Sequence, residues 1–316
     1  MTRRLITVFG GSGFIGRHLV RRLTRAGHRV NVAVRHVEEA KFLKPMGDVG
    51  QVTPVKADLT DAASIANAIK GADGVVNLVG ILYERGVQTF DAIHHEGAAA
   101  LAAAAKAAGA RRFVQLSAIG ANSESDSEYQ RSKAAGEQVV RAAFPGAVIL
   151  RPSIVFGPED DFFNRFGALA LVAPALPLIG GGHTRFQPVY VGDVADVIVK
   201  GLDDGAMAGR TYELGGPRVY SFRDLMEFIL AQTGRSRLLV PLPFFVASIQ
   251  AFFLERLPKP LLTRDQVKML RRDNVVSTDA LGFADLAITP TAVEAIVPGY
   301  LDRFARGGRF KRQMAS

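Results

Sequence analysis

The chain has no cysteine among its 316 residues. Disulfides and thiolate metal sites are excluded, no metal site is expected, and a reducing compartment suits it. It also lacks any charge-poor apolar run of about 18 residues, so nothing reads as a membrane-spanning helix. The two nearest stretches are interrupted by proline: 166–179 by Pro174 and Pro177, and 240–254 by Pro241 and Pro243. There is no internal repeat and no low-complexity linker. No recognition-helix or zinc-finger pattern occurs, nor are aromatic residues interleaved with basic ones as in RNA-binding sheets. Nucleic acid is therefore not an expected partner. The first strand-like run begins at Leu5, leaving no room for a signal or transit peptide. The expectation is a bacterial protein made and kept in the cytosol.

What is present is an ordinary globular composition, 48% hydrophobic and 22% charged, long enough for two lobes. Acidic residues are the scarcer sign, 30 against 39 lysines and arginines, which gives a formal charge of +9. Such an excess favours an anionic partner: a nucleotide, a lipid headgroup layer or an acidic protein face. The charge is densest at the end, in Arg303, Arg306, Arg309, Lys311 and Arg312.

Residues 5–16, LITVFGGSGFIG, carry the most information. An apolar strand, Leu5 to Phe9, enters a glycine cluster and continues as a helical pattern from Phe14. Gly10, Gly13 and Gly16 are spaced G-x-x-G-x-x-G. The first allows a sharp turn, the second a close approach to a pyrophosphate, the third close packing of helix on strand. Unpaired amides and the helix dipole favour an anion at that N-terminus. Arg17, one turn in, can assist with the phosphates.

Strand and helix patterns then alternate. The expected strands are Leu5–Phe9, Val30–Val34, Val52–Lys56, Gly74–Val79, Arg112–Ser117 and Ala147–Arg151. The expected helices between them are Ile15–Ala26, Val37–Leu43, Ala62–Lys70, Phe90–Ala108 and Tyr129–Ala143. The strands are continuous apolar runs, as when both faces are covered. This alternation predicts an α/β fold with a doubly wound parallel sheet. The pattern breaks after Pro152; Tyr190–Leu202 and Arg210–Leu214 look like a helix and a strand returning to the sheet. A helix over Ser221–Gln232 is expected with Ser221 as N-cap. The expected division is 1–155, with 185–215 returning to it, for dinucleotide binding. Residues 156–184 and 216–305 form a smaller, mostly helical lobe, and 306–316 a basic tail.

Chemistry concentrates at the strand ends. Arg35 closes the second strand, where an NAD-specific fold carries an acid for the ribose 2′-hydroxyl; an arginine there suits the 2′-phosphate of NADP(H). Asp58 after the third strand can accept from an adenine amino group, with Leu59 covering the ring. Asp58 can equally be the N-cap of the next helix, a role for which Thr60 and Asp61 compete. Gly80, after Val79, permits backbone to approach the cofactor ribose. Tyr129 and Lys133 form Tyr-x-x-x-Lys, which places both on one helix face. An ammonium beside a phenol is expected to lower its pKa toward neutrality and fit it for proton transfer.

Together these features resemble the short-chain dehydrogenase/reductase superfamily, in its extended or atypical (epimerase/dehydratase-like) form. Two further motifs carry the resemblance: Arg151-Pro152-Ser153-Ile154-Val155-Phe156-Gly157-Pro158, and Tyr190-Val191-Gly192-Asp193-Val194-Ala195. It implies a Rossmann fold with nucleotide contacts from Phe14, Ile15, Val79, Ser117 and Pro152 as well. It also implies a third catalytic hydroxyl at the end of the fifth strand. In the alignment with paired hydroxyls that position is Ala118, which has none; Ser117 is the alternative.

A narrower resemblance is to the NADPH-binding accessory subunits of respiratory complex I. It rests on Leu116-Ser117-Ala118-Ile119-Gly120-Ala121-Asn122, on Ser127-Glu128-Tyr129-x-Arg131-Ser132-Lys133-Ala134-x-Gly136-Glu137, and on Leu262–Val267, Asp273–Ser277 and Pro298–Leu301. It implies a nucleotide held structurally, other complex I subunits as partners, and a peripheral place on the cytoplasmic face of the inner membrane. The Phe-rich segment 241–254, with Phe244, Phe245, Phe252 and Phe253, and the basic tail can then meet anionic lipid. Aromatics at helical spacing more commonly face inward, which would put these phenylalanines in the core of the smaller lobe. The other function compatible with the sequence is an NADP-dependent reductase, epimerase or dehydratase acting on a sugar nucleotide or small carbonyl compound.

Overall fold

The structure is a computed structural model that describes residues 3–305. Arg306, Arg309, Lys311 and Arg312 of the expected tail lie outside the described residues. The chain forms two compact units: Met1–Pro152 with Val191–Leu214 and Asp279–Leu286, and Ser153–Tyr190 with Gly215–Thr278 and Ala287–Ser316. Relative to the expected division, 153–155, 185–190 and Gly215 fall in the second unit and 279–286 join the first. The reason is local: Leu281 bridges to Tyr212, and its carbonyl accepts from the Glu213 amide at 2.8 Å.

The first unit is built on β1 (Leu5–Phe9), β2 (Arg29–Val34), β3 (Val52–Lys56), β4 (Gly74–Asn77), β5 (Arg112–Leu116) and β6 (Val148–Pro152). With the strand Thr211–Leu214 at one edge they make a seven-stranded parallel sheet, ordered 3-2-1-4-5-6 from the opposite edge. The order reverses between β1 and β4, which opens a crevice at their C-terminal ends. Around the sheet run α1 (Phe14–Arg25), α2 (Ala62–Ile69), α3 (Gly97–Ala107) and α4 (Glu128–Ala143), and later in the chain the helix Val191–Asp203. Ile65, Leu101 and Val140 from α2, α3 and α4 form one core with Phe9, Val75, Phe113 and Ile149 from the strands. Leu19 and Leu23 of α1 and Val194, Val197 and Ile198 of the later helix are fully buried as well.

Two expected helices differ. Residues 38–46 wind as a 3-10 segment, Glu38–Met46, where Pro45 removes one amide. The expected helix Phe90–Ala108 is two pieces, a π turn over Asp91–Glu96 and then α3. The wide turn is packed against α4 at Gly136, where any Cβ would collide with the His94 carbonyl oxygen.

The second unit holds α5 (Phe162–Val172), then, after the sheet-unit helix Val191–Asp203 (α6), α7 (Phe222–Thr233), α8 (Phe244–Leu254), α9 (Arg264–Met269) and α10 (Val293–Leu301). Short strand pairs accompany them, among them Ala175–Ile179 with Leu238–Leu242. Ser221 caps α7 in a reciprocal box with Asp224. The core gathers Phe163, Phe186, Phe222, Met226 and Val297. Of α8 only Ala247 and Ala251 are buried; Phe245 is 66% and Phe253 64% exposed, and Ile249 and Phe252 are exposed too. The inward-facing expectation fails for Phe245, Phe252 and Phe253, because small alanines occupy the inner stripe and leave the rings outside. Among the described residues no helix is long and apolar enough to cross a membrane.

Candidate functional site

The site grows from the turn between β1 and α1. Gly10 takes φ +76°, and a Cβ there would lie 3.1 Å from the Leu78 carbonyl carbon. A Cβ on Gly16 would collide with the Gly10 carbonyl oxygen, so α1 lies this close to the turn only through glycine. Gly13 donates its amide to Gly10 at 3.0 Å and is the N-cap of α1. Among the described residues no side chain caps that end, and its first turn, opened by Phe14 and Ile15, holds no acid. The positive end of the helix therefore faces the crevice without a protein counter-charge. Arg17 folds back over the turn, its Nε and Nη2 each 3.4 Å from the carbonyls of Gly13 and Ser12. These features fit the phosphates of a dinucleotide.

Arg35 lies exposed just beyond β2. Asp58 accepts from the Thr60 amide at 2.9 Å and the Thr60 hydroxyl at 2.8 Å. Burial raises its carboxyl, but those two bonds and the positive charge of Arg35 outweigh it and hold the group below the usual range. Asp61, not Asp58, caps α2, accepting from the amides of Ala63 and Ser64. Leu59 is buried among the residues of the sheet core. The Val79 amide is tied to Asn77 Oδ1 at 3.1 Å. Gly80 lies in the open between two functional groups: a Cβ there would sit at ordinary contact distance, 3.5 Å from His94 Nε2 and 3.6 Å from Lys133 Nζ. Pro152 is buried at the end of β6, its carbonyl accepting from Ile119.

Tyr129 and Lys133 share the crevice-side face of α4, but their electrostatics differ from the expectation. Lys133 is buried, and Nζ donates to the Leu116 carbonyl at 3.0 Å, 6.0 Å from the Tyr129 ring centre. Loss of hydration lowers its ammonium to about 8, against the opposing pull of Glu137. The Tyr129 ring stands edge-on to Phe90 and His94 at 5.9 and 5.5 Å. In that low-dielectric setting the phenol is pushed up to about 12, the reverse of an activated phenolate.

Ser117 is committed as well. Its Oγ donates to Glu137 Oε1 at 2.6 Å, and Glu137 takes two bonds of 2.8 Å from Arg151. The Arg151-Pro152 motif thus anchors a buried carboxylate that holds the serine. Ala118, half-buried, offers no hydroxyl.

Sequence reasoning missed His94 and, although Glu137 closes the motif that carries the narrower resemblance, gave that residue no role. Glu137 was within reach, because it follows Lys133 by four on one helical face. His94 depended on the π turn, which no propensity signals. Its Nε2 accepts the Ile81 amide at 3.0 Å, so Nδ1 carries the proton, toward Ser132 Oγ at 2.8 Å; that hydroxyl in turn donates to the Tyr129 carbonyl at 2.8 Å. Burial first and Lys133 second depress the imidazole to about 2, so it is neutral. Among the described residues there is no group of three or more His, Asp or Glu arranged to hold a metal ion.

Comparison with known proteins follows the same lines. The model of the NAD dependent epimerase/dehydratase family matches residues 6–215. The chain is 40% identical, over 96% of its length and 78% of the relative's, to the mitochondrial NADH dehydrogenase (ubiquinone) 1 alpha subcomplex subunit 9 of Arabidopsis thaliana. Against the protein of that name from Mus musculus it is 38% identical over 91% of its length and 77% of the relative's. Among solved structures, DesIV, the dTDP-glucose 4,6-dehydratase of Streptomyces venezuelae with NAD and TYD bound, superposes with a TM-score of 0.73. That likeness covers 97% of this chain and 98% of the other, at 22% identity, and concerns the fold.

Proposed function

The chain belongs to the NAD dependent epimerase/dehydratase family, and within it we propose an accessory subunit of a proton-pumping NADH:quinone oxidoreductase (complex I) that holds NADP(H) as a structural ligand. One contrast inside the site carries this reading. The nucleotide cradle of Gly10, Gly13 and Gly16 is complete, while the group that would polarise a substrate is engaged elsewhere, Ser117 on Glu137. The likeness to the alpha subcomplex subunit 9 proteins, spanning nearly the whole chain, supports the assignment to the complex.

Bound NADPH would supply a hydride donor. The chain's own residues would hold it: the amides after Gly13 and the α1 dipole would take the pyrophosphate, Arg35 the 2′-phosphate, Asp58 the adenine amino group and Lys133 the nicotinamide ribose. Tyr129, protonated across the physiological range, offers a hydrogen bond and no base.

The reading places the protein on the cytoplasmic face of a bacterial inner membrane, with other complex I subunits as partners. The exposed rings of α8 and nearby Arg256, whose guanidinium lies 3.8 Å from the Phe252 ring centre, suit an interface with anionic lipid. Co-purification tests this. The protein is expected to travel with NADH:quinone oxidoreductase from membranes, carrying NADPH that added carbonyl compounds do not oxidise. Recovery alone in the soluble fraction contradicts it. The intact Tyr129 and Lys133 favour one second reading, a free NADP-dependent reductase, epimerase or dehydratase. A Tyr129→Phe variant that still supports assembly of the complex would show that the hydroxyl has no chemical task and count against that reading.

A further inference from the structure

The backbone that leaves β4 is anchored by three amides. Leu78 donates to the Phe9 carbonyl at 3.0 Å, Val79 to Asn77 Oδ1 at 3.1 Å, and Ile81 to His94 Nε2 at 3.0 Å. The first two anchors belong to the sheet. The third comes from the π turn and begins a directed chain. Because Nε2 accepts, Nδ1 carries the proton and donates to Ser132 Oγ, whose own proton goes to the Tyr129 carbonyl. One tautomer of His94 therefore satisfies both of its partners. Packing holds the ring too: it stacks on Phe90 at 5.6 Å and meets Tyr129 edge-on at 5.5 Å. Gly80 is the exposed residue between the anchored Val79 and Ile81, and there this backbone comes beside Lys133. Moving Ile81 moves Gly80. Arg35 and Asp58 follow β2 and β3, which lie on the other side of β1 from β4. The relay does not reach them.

Resting on the NADP(H) reading above, we infer that His94 is a positioning residue: through the Ile81 amide it sets where the Gly80 backbone stands against the nicotinamide half of the nucleotide, while the adenosine half is held without it. Ser132 acts by fixing the tautomer. Without that acceptor the imidazole can carry its proton on Nε2, which would then face the Ile81 amide donor to donor, and the anchor would be lost.

Calorimetric titration of the full chain with NADPH and with adenosine 2′,5′-bisphosphate, which lacks the nicotinamide and its ribose, separates the two halves. The wild type is expected to bind both. His94→Leu fills the space but accepts nothing; it is expected to weaken NADPH by about tenfold and the bisphosphate by less than about twofold. His94→Gln, which can accept from Ile81 and donate to Ser132, should bring NADPH back to within about threefold of the wild type. Ser132→Ala, at a half-buried position, should weaken NADPH selectively by about threefold, and its result decides if His94→Leu does not fold. Equal weakening of both ligands assigns the relay to general support of the fold and overturns the inference. So does unweakened NADPH binding, or a folded His94→Gln that binds NADPH no better than His94→Leu. A wild type that binds neither ligand, or prefers NADH to NADPH, overturns the underlying NADP(H) reading instead, an outcome readable before any variant is made.

Discussion

His94 shows how much one side chain can govern. In the folded chain it stays neutral down to pH about 2, whereas an unfolded histidine titrates near 6.5. Between those values the unfolded chain binds a proton that the folded chain refuses. Stability therefore falls as pH drops through that window, and at pH 5 this one group costs about 2 kcal/mol. His94→Gln can still accept from Ile81 and donate to Ser132. Denaturant titrations from pH 7 to pH 4.5 should show a shallower loss for the variant than for the wild type. Lys133 works in the opposite range: lowered to about 8, it makes stability rise with pH from about 8 toward 10.5, a slope Lys133→Met should remove. Neither effect was legible beforehand. Tyr-x-x-x-Lys was plain in the sequence, but its sense was not, because the sign of the tyrosine shift is set by burial, with Phe90 and His94 packed edge-on to the ring.

At the level of elements the sequence was far more readable. β1, β3, α2 and the capped helix α7 stand within a residue of expectation, because apolar runs, glycine turns and hydroxyl caps are local signals. The π turn before α3 was invisible because it is imposed by a neighbour, α4, through Gly136. That origin can be tested. Gly136→Ala would push a methyl into the His94 carbonyl and is expected to destabilise by about 1–3 kcal/mol, read as a lower midpoint in urea. Ser221→Ala removes one half of a capping box and should cost about 1 kcal/mol, without affecting nucleotide binding.

For the whole molecule the question is what the outside is for. A core residue replaced by serine unfolds a protein; an exposed one does not. The triple variant Phe245→Ser, Ile249→Ser, Phe253→Ser is expected to melt as the wild type does, since these side chains lie mostly in solvent. It should lose co-sedimentation with vesicles containing anionic lipid and fail to join the respiratory complex. Retained vesicle binding would remove lipid from the role of α8. The path of the chain adds a different consequence. The sheet takes its edge strand, Thr211–Leu214, only after an excursion through the other unit, and the bridge from Leu281 to Tyr212 comes later still. A ribosome thus delivers β6 with a bare flank long before its neighbour has been synthesised, an open template for stray pairing. Newborn copies of this protein should consequently depend on chaperones that shield that flank during translation.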